Sequence, residues 1–345
     1  MLTRLEREMR EQGDGLAGRE DRGRVEAEAA AELLRSDDVD YLMVVARGSS
    51  DNAARYGQYL LGAYAGLVVT LATPWLFGRG RRPPRLSGAA VLAISQSGRS
   101  PDVAAVLAAA REQERPTLAI TNNPASPMAA LADVVIGLNV GPERSVPATK
   151  TYTASLHALA QIAGGLVPDE DWRESLDRLP GVVSEVVEAQ LAGRERFDPL
   201  ARFSPLTAVG RGFDYATAFE TALKIRELSG SPAEAYSPPD LLHGPVAAMG
   251  AGTALWIASS GLETRTETLD TLRGVAARAG ITAAVSPDPR VLGLADIALP
   301  MPAVPAWAGP IVGVVPGQAA ALRLAELNGV DADAPHGLHK VTLTQ

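Results

Sequence analysis

The sequence predicts an α/β protein built from two similar units in tandem, each a parallel sheet covered by helices on both faces. Three observations predict it. The chain repeats itself: Val44-Val45-Ala46-Arg47-Gly48 is echoed by Ala208-Val209-Gly210-Arg211-Gly212, Ser97-Gly98 by Ser260-Gly261, and Ala132-Asp133-Val134-Val135 by Ala295-Asp296-Ile297-Ala298. All three offsets are 163 or 164 residues, and recurrence at one offset marks a repeated fold. Short apolar runs alternate with segments of helical period, the pattern of a parallel sheet buried on both faces. The length of 345 residues, 46% hydrophobic, is enough for two cores.

The elements follow in order. Residues 1–22 form a charged helical segment. In the first unit, 23–170, the runs 41–46, 90–95, 116–121 and 133–138 are buried strands. The clearest helix is 101–113, with Pro101 in its first turn, where proline is well tolerated. Residues 81–85, Arg-Arg-Pro-Pro-Arg, read as an exposed loop. A connecting segment, 171–200, holds an amphipathic helix over roughly 181–195. The second unit, 201–330, repeats the scheme with LTAVG, ALWIAS, ITAAVS and IALPM and ends in a helix near 310–329; a polar tail, 331–345, follows.

Composition removes several function classes. With no cysteine there is no disulfide, no thiolate metal site and no cysteine nucleophile, and the chain suits a reducing, cytoplasmic setting. The opening residues lack the apolar core of a secretory signal, and no apolar stretch approaches the ~18 residues of a membrane span. A net charge of −8 argues against a broad nucleic-acid footprint. Neither a metal nor an organic cofactor is expected: His336 and His339 are spaced i, i+3 but have no third ligand. Gly13 to Gly18 matches G-x-G-x-x-G, yet a charged helical segment precedes it instead of the strand that a dinucleotide site requires.

Open parallel sheets bind ligands at the carboxyl ends of their strands. After the second strand of the first unit comes Ser95-Gln96-Ser97-Gly98-Arg99-Ser100, followed by a helix. Backbone N–H groups, the helix dipole and these side chains suit a phosphate, although serine also caps helices for purely structural reasons. The second copy carries Glu263 where the first has Ser100, and a carboxylate there would repel phosphate, so only the first copy is expected to bind. Ser49 and Ser50 follow a strand and open a helix starting near Asp51, as binding groups or ordinary caps. The loop 141–150, with Glu143, Val146 and Pro147, is long for a strand–helix connection and is expected to line the pocket. Glu220, Lys224 and Glu227 share one helix face, either as a solvated ion-pair stripe or as a base with its charge partner. His243 follows a Pro-Pro pair, and Lys340 lies near the end of the chain.

Together the strings REMREQ, RGSSD, ISQSGRSPD, VPATKTY, GRGFDYATAFETALKIREL, AEAYSPPDLLHGP and HKVTLT resemble the sugar-isomerase (SIS) family. The likeness is to the isomerase half of glucosamine-6-phosphate synthase and to stand-alone relatives such as SIS-type glucosamine-6-phosphate deaminases. The resemblance implies two tandem SIS domains. It also implies a phosphate held by Ser95, Gln96, Ser97, Ser100, Ser49 and Ser50, with Val146, Pro147 and Glu220 at the pocket. Glu227 would be the enolising base with Lys224 one turn earlier. His243 would open the sugar ring from the neighbouring subunit of a homodimer, and Lys340 would reach the carbonyl. His339 stands where the family has a small residue, and Pro147 where alanine is common. The implied activity is conversion of glucosamine 6-phosphate to fructose 6-phosphate and ammonia. The alternatives are another phosphosugar isomerase, an aminotransferase-type isomerase, a fructosamine-6-phosphate deglycase and a non-catalytic sugar-phosphate sensor. The cysteine-dependent glutaminase domain of the synthase is absent from these residues, so ammonia release from glutamine by that route is not expected.

Overall fold

The protein is described by a computed structural model covering residues 2–78, 80–167, 169–260 and 265–340. Two helices open the chain, α1 (Arg4–Gly18) and α2 (Glu20–Leu34). Then come β1 (Tyr41–Val45), α3 (Ser49–Ala65), β2 (Val68–Leu71), β3 (Ala89–Ile94), α4 (Pro101–Glu112), β4 (Thr117–Thr121), β5 (Val134–Gly137) and α5 (Lys150–Leu166). The long α6 (Glu170–Ala192) leads to β6 (Leu206–Gly210), α7 (Asp214–Ser229), β7 (Ala233–Tyr236), α8 (Pro238–Leu242), β8 (Ala254–Ala258) and α9 (Arg265–Ala276). The chain continues through β9 (Ile281–Ser286), α10 (Pro289–Leu292), β10 (Ile297–Pro300) and α11 (Gly309–Asn328).

Two parallel five-stranded sheets result, β2-β1-β3-β4-β5 and β7-β6-β8-β9-β10, with the same order in each half. The order follows from burial. β3, β4, β6, β8 and β9 are buried at every residue, as central strands covered on both faces must be. Val91 and Ala93 of β3 pack with Val103, Val106 and Leu107 of α4, and the alternating residues Leu92 and Ile94 are equally buried on the other face. In the second sheet Leu255 and Ile257 of β8 pack with Leu269, Leu272 and Val275 of α9.

Two compact units divide the chain. The N-terminal unit takes Glu11–Glu143, Lys150–Pro180 and the tail residues His339 and Lys340; the C-terminal unit takes residues 2–10, Arg144–Thr149 and Gly181–Leu338. Several expectations change. The charged N-terminal segment does not stop at 22 but runs as two helices to Leu34. The helix expected over 181–195 begins at Glu170 and carries Pro180 inside it. The edge strands β2 and β7 were not expected at all. Among the described residues no helix is long and apolar enough to cross a membrane.

Candidate functional site

In each sheet the first strand of the unit pairs with the third, so the loops after β1 and β3, and those after β6 and β8, flank a topological switch point. In the N-terminal unit the register Val45↔Ala93 brings the two serine-bearing loops up side by side. Gly48, with φ +56, makes the turn that L residues avoid, and α3 begins at once. Ser49 and Ser50 are therefore the first two residues of the helix and not caps before a helix at Asp51; Gly48 holds the cap position, and no side chain caps it.

The second loop is a tight, braced turn. Gly98, with φ +62, sits so close to the neighbouring loop that a Cβ would lie 2.0 Å from Ser126 Oγ. Ser95 Oγ accepts the Gly98 N–H at 3.2 Å and Ser97 Oγ accepts the Arg99 N–H at 3.3 Å. Both hydroxyls thus keep their O–H to donate. Ser100 occupies the N-cap position of α4 without making a side-chain cap bond, so the simple capping explanation of this serine fails. Asp102 in the first turn of α4 takes Arg47 Nε at 2.7 Å, a tie between the two loops. Gln96, Ser97 and Ser100 are all part-exposed. The arrangement offers neutral donors at a helix start, the chemistry of a phosphate cradle.

The equivalent place in the C-terminal unit is filled from within. Asp214, on the first turn of α7, is buried, and its carboxylate accepts both the N–H of Ser260, at 2.8 Å, and the Ser260 hydroxyl. By the 164-residue offset Asp214 stands where the N-terminal unit has Ser50. Glu263, on which the expected asymmetry rested, lies outside the described residues.

The row on α7 is not a solvated stripe. Glu220 and Lys224 have fully buried side chains and Glu227 is 24% exposed, with Lys224 Nζ 3.5 Å from Glu220 and in direct contact with Glu227. A buried ammonium must be paired, and here it lies between two carboxylates of its own helix. Glu227 keeps an open side, as a base that meets a substrate must.

The long loop is held along its middle. Glu8 accepts the N–H groups of Arg144 and Ser145, at 2.5 and 3.2 Å, and the Val146 N–H donates to Asp333 O at 3.2 Å. Val146 is half-buried and Pro147 buried. Asp333 in turn accepts the Arg4 and Leu5 N–H groups at the start of α1. His243 ends the short α8 and is exposed; its backbone N–H reaches the carbonyls of Pro239 and Asp240. Lys340 Nζ lies 2.7 Å from Glu143, whose side chain has no exposure and also takes the Thr151 hydroxyl at 2.6 Å and the Thr151 N–H at 3.2 Å.

Within the N-terminal unit the structure therefore joins Ser49 and Ser50 to Ser95–Ser100, and Lys340 to Glu143. Within the C-terminal unit it joins Glu220, Lys224 and Glu227. Sequence reasoning assigned no role to Glu8, Asp214 or Asp333, and none to Glu143 beyond its place in the loop expected to line the pocket. One signal was available for the lysines: of 32 cationic residues 29 are arginine, and only Lys150, Lys224 and Lys340 are lysine. Each of the three pairs with a carboxylate, Lys150 with Glu11.

Comparison with known proteins bears on the family and the fold. The SIS domain profile matches residues 38–163. Glutamine–fructose-6-phosphate aminotransferase [isomerizing] from Thermus thermophilus is 33% identical over 93% of this chain and 54% of its own length. The chain spans about half the length of the curated relatives it matches. A crystal structure from Silicibacter pomeroyi, assigned to a phosphosugar isomerase, superposes with a TM-score of 0.87 at 30% identity, covering 96% of this chain and 100% of that one. The C-terminal domain of glucosamine-fructose-6-phosphate aminotransferase from Francisella tularensis shares the fold, with a TM-score of 0.86 at 24% identity over 97% and 98% of the two chains. The chain belongs to the SIS, or sugar-isomerase, family.

Proposed function

We propose that this chain is a phosphosugar isomerase acting on an amino-sugar phosphate, converting glucosamine 6-phosphate and water to fructose 6-phosphate and ammonia, the water supplying the C2 oxygen as the amine leaves. The observation that carries the reading is the buried row on α7, in which a desolvated ammonium sits between two carboxylates and one of these, Glu227, stays partly open. Aldose–ketose interconversion needs a carboxylate to move a proton between C2 and C1, next to a cation that steadies the developing oxyanion. Glu227 takes the first role and Lys224 the second. The phosphate is held by Ser49, Ser50, Ser95, Gln96, Ser97 and Ser100, and Val146, Pro147 and Glu220 are further substrate-binding residues. His243 assists ring opening from the partner subunit of a homodimer, a role its exposed position within the protomer leaves it free to play. Lys340 holds the carbonyl carbon. A pure sensor would need the cradle but not a buried acid–base row, which favours the enzyme.

The deciding experiment is an ammonia-release assay over a panel of hexosamine 6-phosphates and fructosamine 6-phosphate, run beside proton exchange at C1 and C2 in heavy water. Ammonia and exchange with glucosamine 6-phosphate are expected. Exchange without ammonia would leave a plain isomerase, and binding with neither would leave a sensor. Sharing of the site across subunits is tested by mixing inactive His243→Ala with inactive Glu227→Gln. Hybrid dimers should recover part of the activity, and no recovery after demonstrated subunit exchange would remove the shared site.

A further inference from the structure

The tail residue Lys340 does not reach into solvent as a long, mobile cation would. Its Nζ is fixed 2.7 Å from Glu143 Oε2, and its side chain is 22% exposed. Glu143 is itself immobilised: the Thr151 hydroxyl and the Thr151 N–H, in the first turn of α5, both donate to its carboxylate. The chain segment bearing Glu143 follows β5, so the pair sits at the carboxyl edge of the same sheet that carries the serine loops. A buried carboxylate is costly without donors, and Thr151 and Lys340 supply them here.

Composition gives a second, independent reason to regard this lysine as chemically required. In a chain where 29 of 32 cations are arginine, a lysine at 340 departs from the usual cation. An ammonium differs from a guanidinium in being compact and able to approach a carbonyl carbon as an amine.

We propose that Glu143 is the positioning residue for Lys340. Its carboxylate fixes the amine at the sheet edge and sets the distance from which Lys340 meets the sugar carbonyl. This rests on the role given to Lys340 above. Glu143 touches no substrate atom. It acts through the lysine, and its loss misplaces the amine without disturbing the phosphate cradle. Displacing a reacting group by about 1 Å costs on the order of 100-fold in rate, which bounds the expected effect.

The test uses the full-length protein and three variants. Glu143→Gln keeps shape and can still accept from Thr151, but removes the ion pair. It should lower kcat by about 10- to 100-fold with KM nearly unchanged. Glu143→Asp keeps the charge and should recover part of the loss. In a Lys340→Met background, adding Glu143→Gln should cost almost nothing further. Competitive acetylation of the native protein, read by peptide mass spectrometry, should show Lys340 labelled severalfold faster in Glu143→Gln, with no substrate present. Thermal unfolding should show that the variants remain folded. If Glu143→Gln costs as much without Lys340 as with it, or leaves both kcat and labelling unchanged, the positioning role is overturned. Full turnover by Lys340→Met is a different result: it overturns the part of Lys340 in the proposed function, whatever the labelling shows.

Discussion

The two switch points are built on one plan and finished in opposite ways. In the N-terminal unit the residue after the Gly48–Ser49 turn is Ser50, and the facing turn offers Ser95, Ser97 and Ser100, whose hydroxyls have donors to spare. In the C-terminal unit the corresponding residue is Asp214, which spends both carboxylate oxygens on Ser260. A single exchange of hydroxyl for carboxylate turns a place that can receive an anion into one that already contains its own. The C-terminal unit instead holds the ion-paired Glu220–Lys224–Glu227 row on α7. On the proposed function, duplication has been followed by division of labour: hydroxyls for binding in one half, carboxylates for structure and proton transfer in the other.

The largest effect should come from the carboxylate side. Glu227→Gln preserves size and hydrogen bonding but removes the base, so turnover should fall by around 10²–10⁴ while substrate still binds. Unchanged ammonia release would reduce Glu227 to an ion-pair partner of Lys224. Asp214→Ala should act on folding. It strips the buried Ser260 N–H of its acceptor, and an unsatisfied buried donor costs about 1–3 kcal/mol, visible as a lower midpoint in urea. A midpoint equal to the parent's would show that Asp214 does not hold the second switch point together.

On the hydroxyl side, Ser97→Ala should weaken binding of the sugar phosphate by about 1.5–3 kcal/mol, the range of hydrogen bonds to charged groups. The loss should appear in KM or Kd, with kcat little changed. A sulfate or sugar phosphate bound at Ser259–Ser260 instead would invert the comparison between the two units.

The sequence made the cradle and the row legible because each is local. A Gly-Ser-Ser turn, a run of six residues or one helix face carries each pattern, and the central strands announce themselves because they are buried at every position. β2 and β7 escaped because each is a four-residue edge strand with only one buried residue, Val69 and Ala233, so no apolar run marks them. Pro180 lies within α6, where it simply lacks an N–H to donate. The anchoring carboxylates were invisible for a different reason. Glu8 finds Arg144 across 136 residues and Glu143 finds Lys340 across 197, separations at which periodicity carries no information.

A last prediction probes a carboxylate that lacks the donors Asp214 enjoys. Glu20, in the first turn of α2, is driven up to about 7, first by burial and then by a hydrogen bond with Asp177, while Arg24 pulls the other way. Its ordinary value is 4.5, so between about 4.5 and 7 the folded chain holds a proton that the unfolded chain has lost. Stability therefore falls as pH rises through that window, and the full penalty is present above it. Glu20→Gln removes the titration. It should raise the unfolding midpoint at pH 8 and leave it nearly unchanged near pH 4, where Glu20 is already neutral. Because the side chain is 24% exposed, the gain should stay within about 1 kcal/mol. The decisive measurement is the difference between variant and parent as a function of pH. A difference that is flat across pH 4–8 would mean that Glu20 titrates alike in the folded and unfolded chain. A buried carboxylate facing another carboxylate would then be as well accommodated here as one facing two donors.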